Sequence, residues 1–346
     1  MSNVFVSEIF KISNDFLIKM EEENVLILSW NVANIACLDL NTLLYKFNIE
    51  NYDKIILALQ EAVNLTKKSI LFEHPTKRVI YEEGYVLKKD KIDKNDEDAV
   101  YLNLFSMSFI KTIVITKKPF LHNTINVSIG PFWYINKGFL IMQINTLIIA
   151  NVHLPPYLKN EKKRTNVLSN LKNILITQSK KEEKYKNFKL FLVGDFNFRN
   201  NFVESKRLLK LFEGHLKEEN IEFLQTYKYI KGMNEFDNRR IPAYCDRIFY
   251  GFLVKSELEE NQPDFYKIKE YNSILNEIAS DHKPVYLDCT IKHDTNDKEG
   301  KFEMLQFNNS NLNAFFCNFY VLCTEKSELT FFTIIFVLMC IGLVSK

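Results

Sequence analysis

Short runs of β-branched and aromatic residues, each bounded by turn-forming residues, recur along most of this sequence, as is typical of buried strands. The runs cover residues 24–33, 54–60, 107–116, 138–144, 147–154, 188–198, 246–252 and 284–291. The pair 138–144 and 147–154, joined at Asn145 and Thr146, predicts a hairpin, and residues 157–181 show a helical pattern. Because strands outnumber crossover helices, the sequence predicts sheet packed on sheet with helices outside, not a doubly wound parallel sheet.

Composition excludes several classes of function. The chain is 47% apolar and 25% charged, which indicates a globular protein, and its net charge of +2 argues against a broad surface for polyanions. Neither GxGxxG nor GxxxxGK occurs. The six cysteines include no CxxC pair, and no histidine lies at zinc spacing, so neither a disulfide framework nor a zinc site is indicated. Any anion must therefore be recognised locally.

Polar residues that a core strand does not need stand where the predicted strands begin or end. They are Asn31, Glu61, His153, Asp195, Asn197, Asp246, Asp281 and His282. Each alone has an alternative interpretation as a turn cap or a satisfied polar group. At one end of two packed sheets they would converge into a single site.

Carboxylate and amide oxygens without cysteine suit a hard cation, Mg²⁺ in particular. Two histidines and a nearby aspartate could then orient or deprotonate a water and stabilise charge on phosphoryl oxygens. A metal ion would neutralise the leaving oxygen. The pattern therefore predicts hydrolysis of a phosphate ester.

The chain resembles the endonuclease/exonuclease/phosphatase superfamily and, within it, the inositol polyphosphate 5-phosphatases. The motifs are SWNVAN with Asn31, LALQEAV with Glu61, INKG at 135–138, NVHLPP with His153, VGDFNFR with Asp195 and Asn197, QTYKY at 225–229, RRIPAYCDRIFY and SDHKPVY. GDFNFR and SDH indicate the superfamily, whereas PAYCDR after arginines, together with TYK, is specific to the 5-phosphatases. The resemblance implies an α+β fold, a four-layer α/β/β/α sandwich of two packed mixed sheets flanked by helices.

The resemblance also implies roles for the catalytic end. Glu61 would bind Mg²⁺, with Asn31 and Asp281 close to the metal. Asp195 and Asn197 would position the attacking water and the phosphate.

The histidines complete that implied machinery. His282 would contact the scissile phosphate, and Asp246 would accept its other N–H and fix its tautomer and charge. His153 would also touch the scissile group.

Cations and a tyrosine are implied to hold the other phosphates of the ring. Tyr227, Lys228, Arg240 and Arg239 would bind the neighbouring phosphate, and Lys137 another, through charge-assisted hydrogen bonds.

The sequence departs from the family pattern in several places. Tyr244 replaces a tryptophan, Phe198 a tyrosine and Ile135 a glycine, changes that bear on the shape of the pocket. Asn238 stands where a lysine is common in the family. We therefore expect weaker binding of the ring phosphate unless the Arg239 side chain turns inward. A second histidine after the HL of NVHLPP is missing.

The C-terminus differs from the rest of the chain. Residues 329–344 carry no charge and would form a helix of roughly 24 Å, short of an average bilayer core but sufficient for a thin membrane. The alternative is a buried terminal helix. We expect four parts: an N-terminal extension (1–23), a catalytic domain (24–291), a polar linker with a short apolar segment (292–328) and a transmembrane tail anchor (329–346). The expected location is a thin endomembrane such as the endoplasmic reticulum, with the catalytic domain in the cytosol.

The sequence thus predicts a Mg²⁺-dependent phosphoinositide 5-phosphatase. Its substrates would be phosphatidylinositol 4,5-bisphosphate, the 3,4,5-trisphosphate or soluble inositol polyphosphates, and we expect no nucleic acid partner. Two alternatives stay open, an endonuclease-type phosphodiesterase of the same fold and an inactive phosphoinositide-binding module.

Overall fold

A computed structural model describes residues 20–83, 99–107, 109–118, 120, 122–128, 136–181, 187–199, 201–254 and 265–294. The strands in that part of the chain are β1 (Met20–Asn31), β2 (Leu38–Asp39), β3 (Lys54–Gln60), β4 (Ile70–Leu71), β5 (Arg78–Glu83), β6 (Ala99–Met107), β7 (Ile110–Thr116), β8 (His122–Ser128), β9 (Gly138–Ile144), β10 (Leu147–His153), β11 (Asn187–Asp195), β12 (Leu216–Lys217), β13 (Asp246–Val254), β14 (Tyr266–Ser273) and β15 (Val285–Asp294). The α-helices are α1 (Leu40–Leu44), α2 (Glu161–Lys181) and α3 (Asn201–Leu211). Single 3₁₀ turns lie at Ile49–Asn51, Lys67–Ser69 and Leu158–Asn160.

These strands form two large mixed sheets. The first has the order β14-β15-β1-β3-β7-β6-β5 and the second the order β12-β13-β11-β10-β9-β8, while β2 and β4 make a small separate pair. The first sheet contains two parallel pairs, β1 with β3 and β5 with β6, and the second contains one, β10 with β11. The prediction of two packed mixed sheets is confirmed.

Alternation along the strands divides the core into three apolar clusters. Val25 and Ile27 of β1 meet Ile149 of β10 and Phe191 of β11 between the two sheets. The outer face of the second sheet packs against α2 and α3. The outer face of the first sheet is covered by α1 and turn segments, with Trp30 among the largest side chains there.

Several predicted elements have the expected bounds. The hairpin is confirmed, because Ile144 pairs with Leu147 in antiparallel register. The prediction of one strand over 107–116 is wrong, because Met107 ends β6 and pairs with Ile110 across a turn, so that only Ile110–Thr116 form β7.

The expected domain boundaries stay a prediction. Strand β1 begins at Met20 and β15 ends at Asp294. The linker and anchor predicted for 292–346 lie outside the described residues from position 295 onward. Among the helices that the structure does describe, none is long and apolar enough to span a bilayer.

Candidate active site

Both sheets carry polar side chains at the same end. In the second sheet His153 at the end of β10 pairs with Asp195 at the end of β11, and Asp195 pairs with Asp246 at the start of β13. In the first sheet Asn31 ends β1 and Glu61 directly follows β3. The carboxyl ends of parallel neighbours meet at one edge, and the packing of the two sheets brings the two edges together. The predicted convergence is therefore present.

Asp195 lies at the centre of the site. Its Oδ2 accepts a hydrogen bond from Asn31 Nδ2 at 3.0 Å and lies 3.3 Å from His153 Nε2, while its Oδ1 accepts from the Asn197 N–H at 2.9 Å. Burial alone would raise the pKa of Asp195, but the hydrogen bond with His153 and the charge of His282 hold it well below its usual range. Asp195 is thus a fixed anion, suited to positioning and not to taking up a proton.

His282 is held as a cation by a buried carboxylate. Its Nδ1 lies 2.8 Å from Asp246 Oδ2, which also accepts from Thr226 Oγ1 at 2.7 Å. The Trp30 indole N–H donates to the His282 carbonyl oxygen at 3.0 Å. Burial by itself would lower the pKa of His282, but the charge of Asp246 and the hydrogen bond with it raise that pKa to about 9. The other ring nitrogen, Nε2, lies 4.0 Å from Asp195 Oδ2.

His153 has the opposite character. It is buried, and its Nε2 contacts Lys137 Nζ and lies 3.8 Å from Glu61 Oε1. Burial, together with the charge of Lys137, lowers the pKa of His153. At neutral pH the site therefore combines a neutral His153 with a charged His282.

Glu61 holds an unusual backbone conformation. Its φ is +51°, in the left-handed region that is unfavourable for a residue with a Cβ. Two backbone hydrogen bonds secure it, from Ala62 N–H to the Phe109 carbonyl at 2.9 Å and from Asn34 N–H to the Glu61 carbonyl at 2.8 Å. The side chain lines the cavity, and the charges of His153 and Lys137 lower its pKa against the effect of burial.

The donor set fits a hard divalent cation. The Glu61 and Asp195 carboxylates both face His153, and Asn31 adds an amide beside Asp195. These residues form what we call the floor of the site. Asp281 lines the cavity and lies 3.6 Å from Lys228 Nζ.

A second cluster of potential metal ligands is present among the described residues. Ligand atoms of Asp195, Asp246 and His282 lie within 4.8 Å of one another. The pairing of His282 Nδ1 with Asp246 already occupies the ring nitrogen that faces that carboxylate. Asp246 is 0% exposed, so it cannot present a metal to water. Since Mg²⁺ usually keeps several waters, the more accessible Glu61 side of the floor suits it better.

A cavity of about 450 Å³ opens above this floor. Its lining includes Tyr157, Arg199, Tyr227, Arg240 and Ile241. The Arg199 guanidinium carbon lies 4.4 Å from the centre of the Tyr227 ring, and that ring packs against His282 with centroids 4.5 Å apart. Cations thus surround a pocket with a carboxylate floor, as an anionic ligand bound beside a metal requires.

The structure brings the predicted ring-phosphate residues to different depths. Arg239 pairs in a bidentate manner with Asp237, at 2.8 Å from each nitrogen, and its side chain is 85% exposed at the rim. Arg240 also lines the cavity, with its guanidinium carbon 5.7 Å from the Tyr157 ring centre. Lys137 was expected at a ring phosphate, yet it is buried in the floor, where burial lowers its pKa.

Two of the departures from the family pattern do not touch the cavity. Phe198 packs against Phe196 with ring centroids 5.1 Å apart in the core beneath α2 and α3. Tyr244 packs against Phe223. Ile135 lies outside the described residues.

Arg199 is the site residue that sequence reasoning missed. Its Nη2 donates to Asn197 Oδ1 at 2.6 Å, and its buried Nε has no hydrogen-bond partner within the described residues. It stands two positions after Asn197 in the motif VGDFNFR, so the motif contained the signal. Only the tertiary structure shows that this arginine turns back over the site.

Comparisons with known proteins agree with this geometry. Residues 28–210 and 200–288 match the model of Endonuclease/Exonuclease/phosphatase family 2. The Type IV inositol polyphosphate 5-phosphatase 11 of Arabidopsis thaliana is 24% identical over 299 residues, which cover 77% of this chain and 82% of that protein. The polyphosphatidylinositol phosphatase INP53 of Saccharomyces cerevisiae is 24% identical over 326 residues, which cover 82% of this chain but only 28% of that protein.

The solved structures that match include the inositol polyphosphate 5-phosphatase domain of SPsynaptojanin in complex with inositol (1,4)-bisphosphate and calcium ion. It is 16% identical, has a TM-score of 0.49, and the match covers 93% of this chain and 97% of that one. The curated relatives confirm the resemblance noted in the motifs. Because the matched family model extends over most of the sequence, the chain belongs to Endonuclease/Exonuclease/phosphatase family 2.

Proposed function

We propose that this chain is a Mg²⁺-dependent 5-phosphatase of phosphoinositides, with phosphatidylinositol 4,5-bisphosphate and the 3,4,5-trisphosphate as substrates and soluble inositol polyphosphates as a further class. One observation carries the proposal. The charged His282, held by Asp246, faces the ionised Asp195 across a floor that also contains Glu61, beneath a pocket with arginine walls. The relatives, an inositol polyphosphate 5-phosphatase and a polyphosphatidylinositol phosphatase, support the same substrate class.

Each residue then has a task that follows from its charge. The imidazolium of His282 donates a hydrogen bond to a phosphoryl oxygen and stabilises the charge that develops there. Asp195 and Asn197 orient the attacking water, since Asp195 stays ionised and its position is fixed by Asn31. His153 is fully buried and does not line the cavity, so it would position Glu61 and Asp195 and would not touch the scissile group as the resemblance implies.

Glu61 and Asp195, with Asn31 beside them, would hold Mg²⁺. The ion, when bound, neutralises charge on the phosphate and its leaving oxygen. Arg240 and Tyr227 line the cavity and would contact the phosphate next to the one that is cleaved, with Arg239 at the rim. Lys228 is not among the lining residues and pairs with Asp281, so it would have to leave that pair to bind the same phosphate. Lys137, being buried beside His153, would act on the scissile phosphate and not on a distant ring phosphate.

Release of phosphate by the full chain in detergent tests this proposal. Short-chain phosphatidylinositol 4,5-bisphosphate, its 3,4,5-trisphosphate counterpart, inositol 1,4,5-trisphosphate and an abasic DNA duplex are compared with and without Mg²⁺. We expect Mg²⁺-dependent release from the 5 position, abolished in His282→Ala. Nicking of DNA with the inositol substrates left intact would favour the endonuclease alternative, and no reaction in folded protein would favour the binding module.

We also propose that residues 329–344 anchor the chain in a thin membrane with the catalytic domain in the cytosol. The uncharged composition of this segment supports the proposal. A lipid substrate in the same plane would then be present at a high effective concentration.

A further inference from the structure

A layer of polar side chains lies between the apolar core and the catalytic floor. Residues that alternate along a strand face the same side. In β3, Ile56 and Ala58 face the space between the sheets, and Gln60 continues that face. In β10, Ile149 does the same and is followed by Asn151. Gln60 and Asn151 thus occupy positions where the pattern of the preceding residues would put an apolar side chain.

Asn151 joins the two sheets by hydrogen bonds. Its Oδ1 accepts from Gln60 Nε2 at 2.8 Å, and its Nδ2 donates to the Lys111 carbonyl at 2.9 Å and lies 3.2 Å from Thr112 Oγ1. Asn151 and Gln60 are both 0% exposed. Buried amides cost free energy unless they are paired, and here the pairing crosses from the second sheet to the first.

Lys111 extends this network to the loop that carries Glu61. It is 6% exposed, and its Nζ donates to the carbonyls of Val63, at 3.3 Å, and Leu65. The loop begins at Glu61, whose φ of +51° needs support from its surroundings. One connected set of hydrogen bonds therefore runs from β10 to the segment after β3.

The site residues sit on the two sides of this set. Glu61 follows Gln60 in the first sheet, whereas His153 lies two positions after Asn151 in the second. We propose that Asn151, Gln60 and Lys111 form an inter-sheet clamp that fixes Glu61 relative to His153 and Asp195, and thereby sets the affinity of the site for a divalent cation. This inference rests on the proposed function and assigns three positioning residues to it.

Calorimetric titration of the full chain with MgCl₂, without substrate, tests the clamp. Asn151→Leu keeps the approximate volume and removes every hydrogen bond of the amide. Because residues that orient metal ligands typically affect affinity by 10- to 100-fold, we expect the Kd for Mg²⁺ to rise about tenfold or more.

Tyr266→Phe is the matched control. The Tyr266 hydroxyl on β14 of the first sheet accepts from the Leu190 N–H of the second sheet at 3.1 Å and donates to the Gly251 carbonyl. Leu190 lies five residues before Asp195, roughly 17 Å along the strand. This variant also loses buried hydrogen bonds between the sheets, so its Tm should fall while its Kd for Mg²⁺ stays within about twofold of the wild type.

Two further variants test the clamp if Asn151→Leu does not fold. Asn151→Asp keeps the acceptor for Gln60 but loses the donors to Lys111 and Thr112, and Lys111→Met keeps the aliphatic chain but releases the loop. Both should weaken Mg²⁺ binding about tenfold. An unchanged Kd in the folded clamp variants, or an equal change in Tyr266→Phe, would overturn the clamp alone. A wild-type chain that binds no Mg²⁺ would overturn the proposed function and the clamp with it.

Discussion

At the scale of single residues, the role proposed for His282 predicts a pH limit to activity. A histidine with a raised pKa is charged below that pKa, so the His282 imidazolium is present up to pH about 9 and is lost above it. We predict an alkaline limb near pH 9 in kcat/KM. In Asp246→Asn the charge that raises the pKa of His282 is lost, and burial then lowers that pKa. The alkaline limb should therefore move to lower pH by roughly 2 to 3 units.

The pH profile of kcat/KM with a soluble substrate measures this shift. Asp237→Asn is the control, because Asp237 is a carboxylate that pairs with Arg239 at the rim and does not contact His282. Its profile should keep the limb of the wild type. A limb that stays near pH 9 in Asp246→Asn would contradict the assignment of the limb to His282.

Arg199 gives a second prediction at this scale. Its buried Nε and its place over Tyr227 suit a donor to a phosphate oxygen. Arg199→Met should lower kcat/KM roughly 100-fold, since loss of one preorganised donor to a developing oxyanion has that effect. Arg199→Lys should recover less than the full activity, because lysine lacks the planar fork.

Arg207→Met is the control for Arg199→Met. Comparing the steady-state kcat/KM of the two variants separates the loss of a phosphate donor from a general loss of positive charge. Arg207 is 55% exposed on α3, where it contacts Glu161, and it is remote from the cavity lining. Equal losses in the two variants would exclude a direct role for Arg199.

At the scale of elements, a buried ion pair ties the helices to the wall of the pocket. Arg164 of α2 binds Glu204 of α3 through Nε at 2.7 Å and Nη2 at 2.9 Å, and both side chains are almost wholly buried. Arg164 Nη1 also donates to the carbonyls of Pro155 and Tyr157, which follow His153 in the chain. The pair thus holds the segment that forms one side of the cavity.

Removing one partner of such a pair leaves an uncompensated buried charge. We predict that Glu204→Leu lowers the free energy of unfolding by about 3 to 5 kcal/mol, and that Arg164→Met with Glu204→Leu costs less than the sum of the single changes. Urea denaturation measures both. Glu213→Gln, which alters only the exposed pair with Lys172, should leave the curve unchanged. Additive single effects would show that the two residues act independently.

The elements differ in how far the sequence predicts them. Central strands such as β3 and β10 are buried over nearly their whole length, so their mainly apolar composition identifies them. Strand β14 was missed because it lies at the edge of the first sheet and mixes exposed with buried positions. The eight strand-end residues that the sequence singled out lie together because strand ends share an edge. The burial of Lys137 beside His153 and the direction of the Arg199 side chain, which turns back over the site, could not be predicted. Both depend on contacts between distant segments.

At the scale of the whole molecule, the catalytic end is built from both sheets, so its geometry depends on how they pack. Under the proposed function the described domain would account for catalysis and for recognition of phosphate, but the arginines that line its pocket do not distinguish a lipid from a soluble inositol phosphate. The C-terminal residues 329–344 bear on that distinction, because a chain anchored by them, as we propose, would meet lipid in two dimensions.

Membrane association of the full chain is therefore the last prediction. We expect the chain to stay in the membrane pellet after alkaline carbonate extraction. Ile335→Lys with Leu338→Lys should release it, because each lysine near the centre of a spanning helix costs about 2.5 to 3.5 kcal/mol of insertion. Asn308→Lys with Asn309→Lys adds the same charge within the polar linker and should leave the chain in the pellet. Retention of the Ile335→Lys and Leu338→Lys variant would show that another surface binds the membrane, whereas release of the wild type would favour the alternative of a terminal helix packed on the catalytic domain.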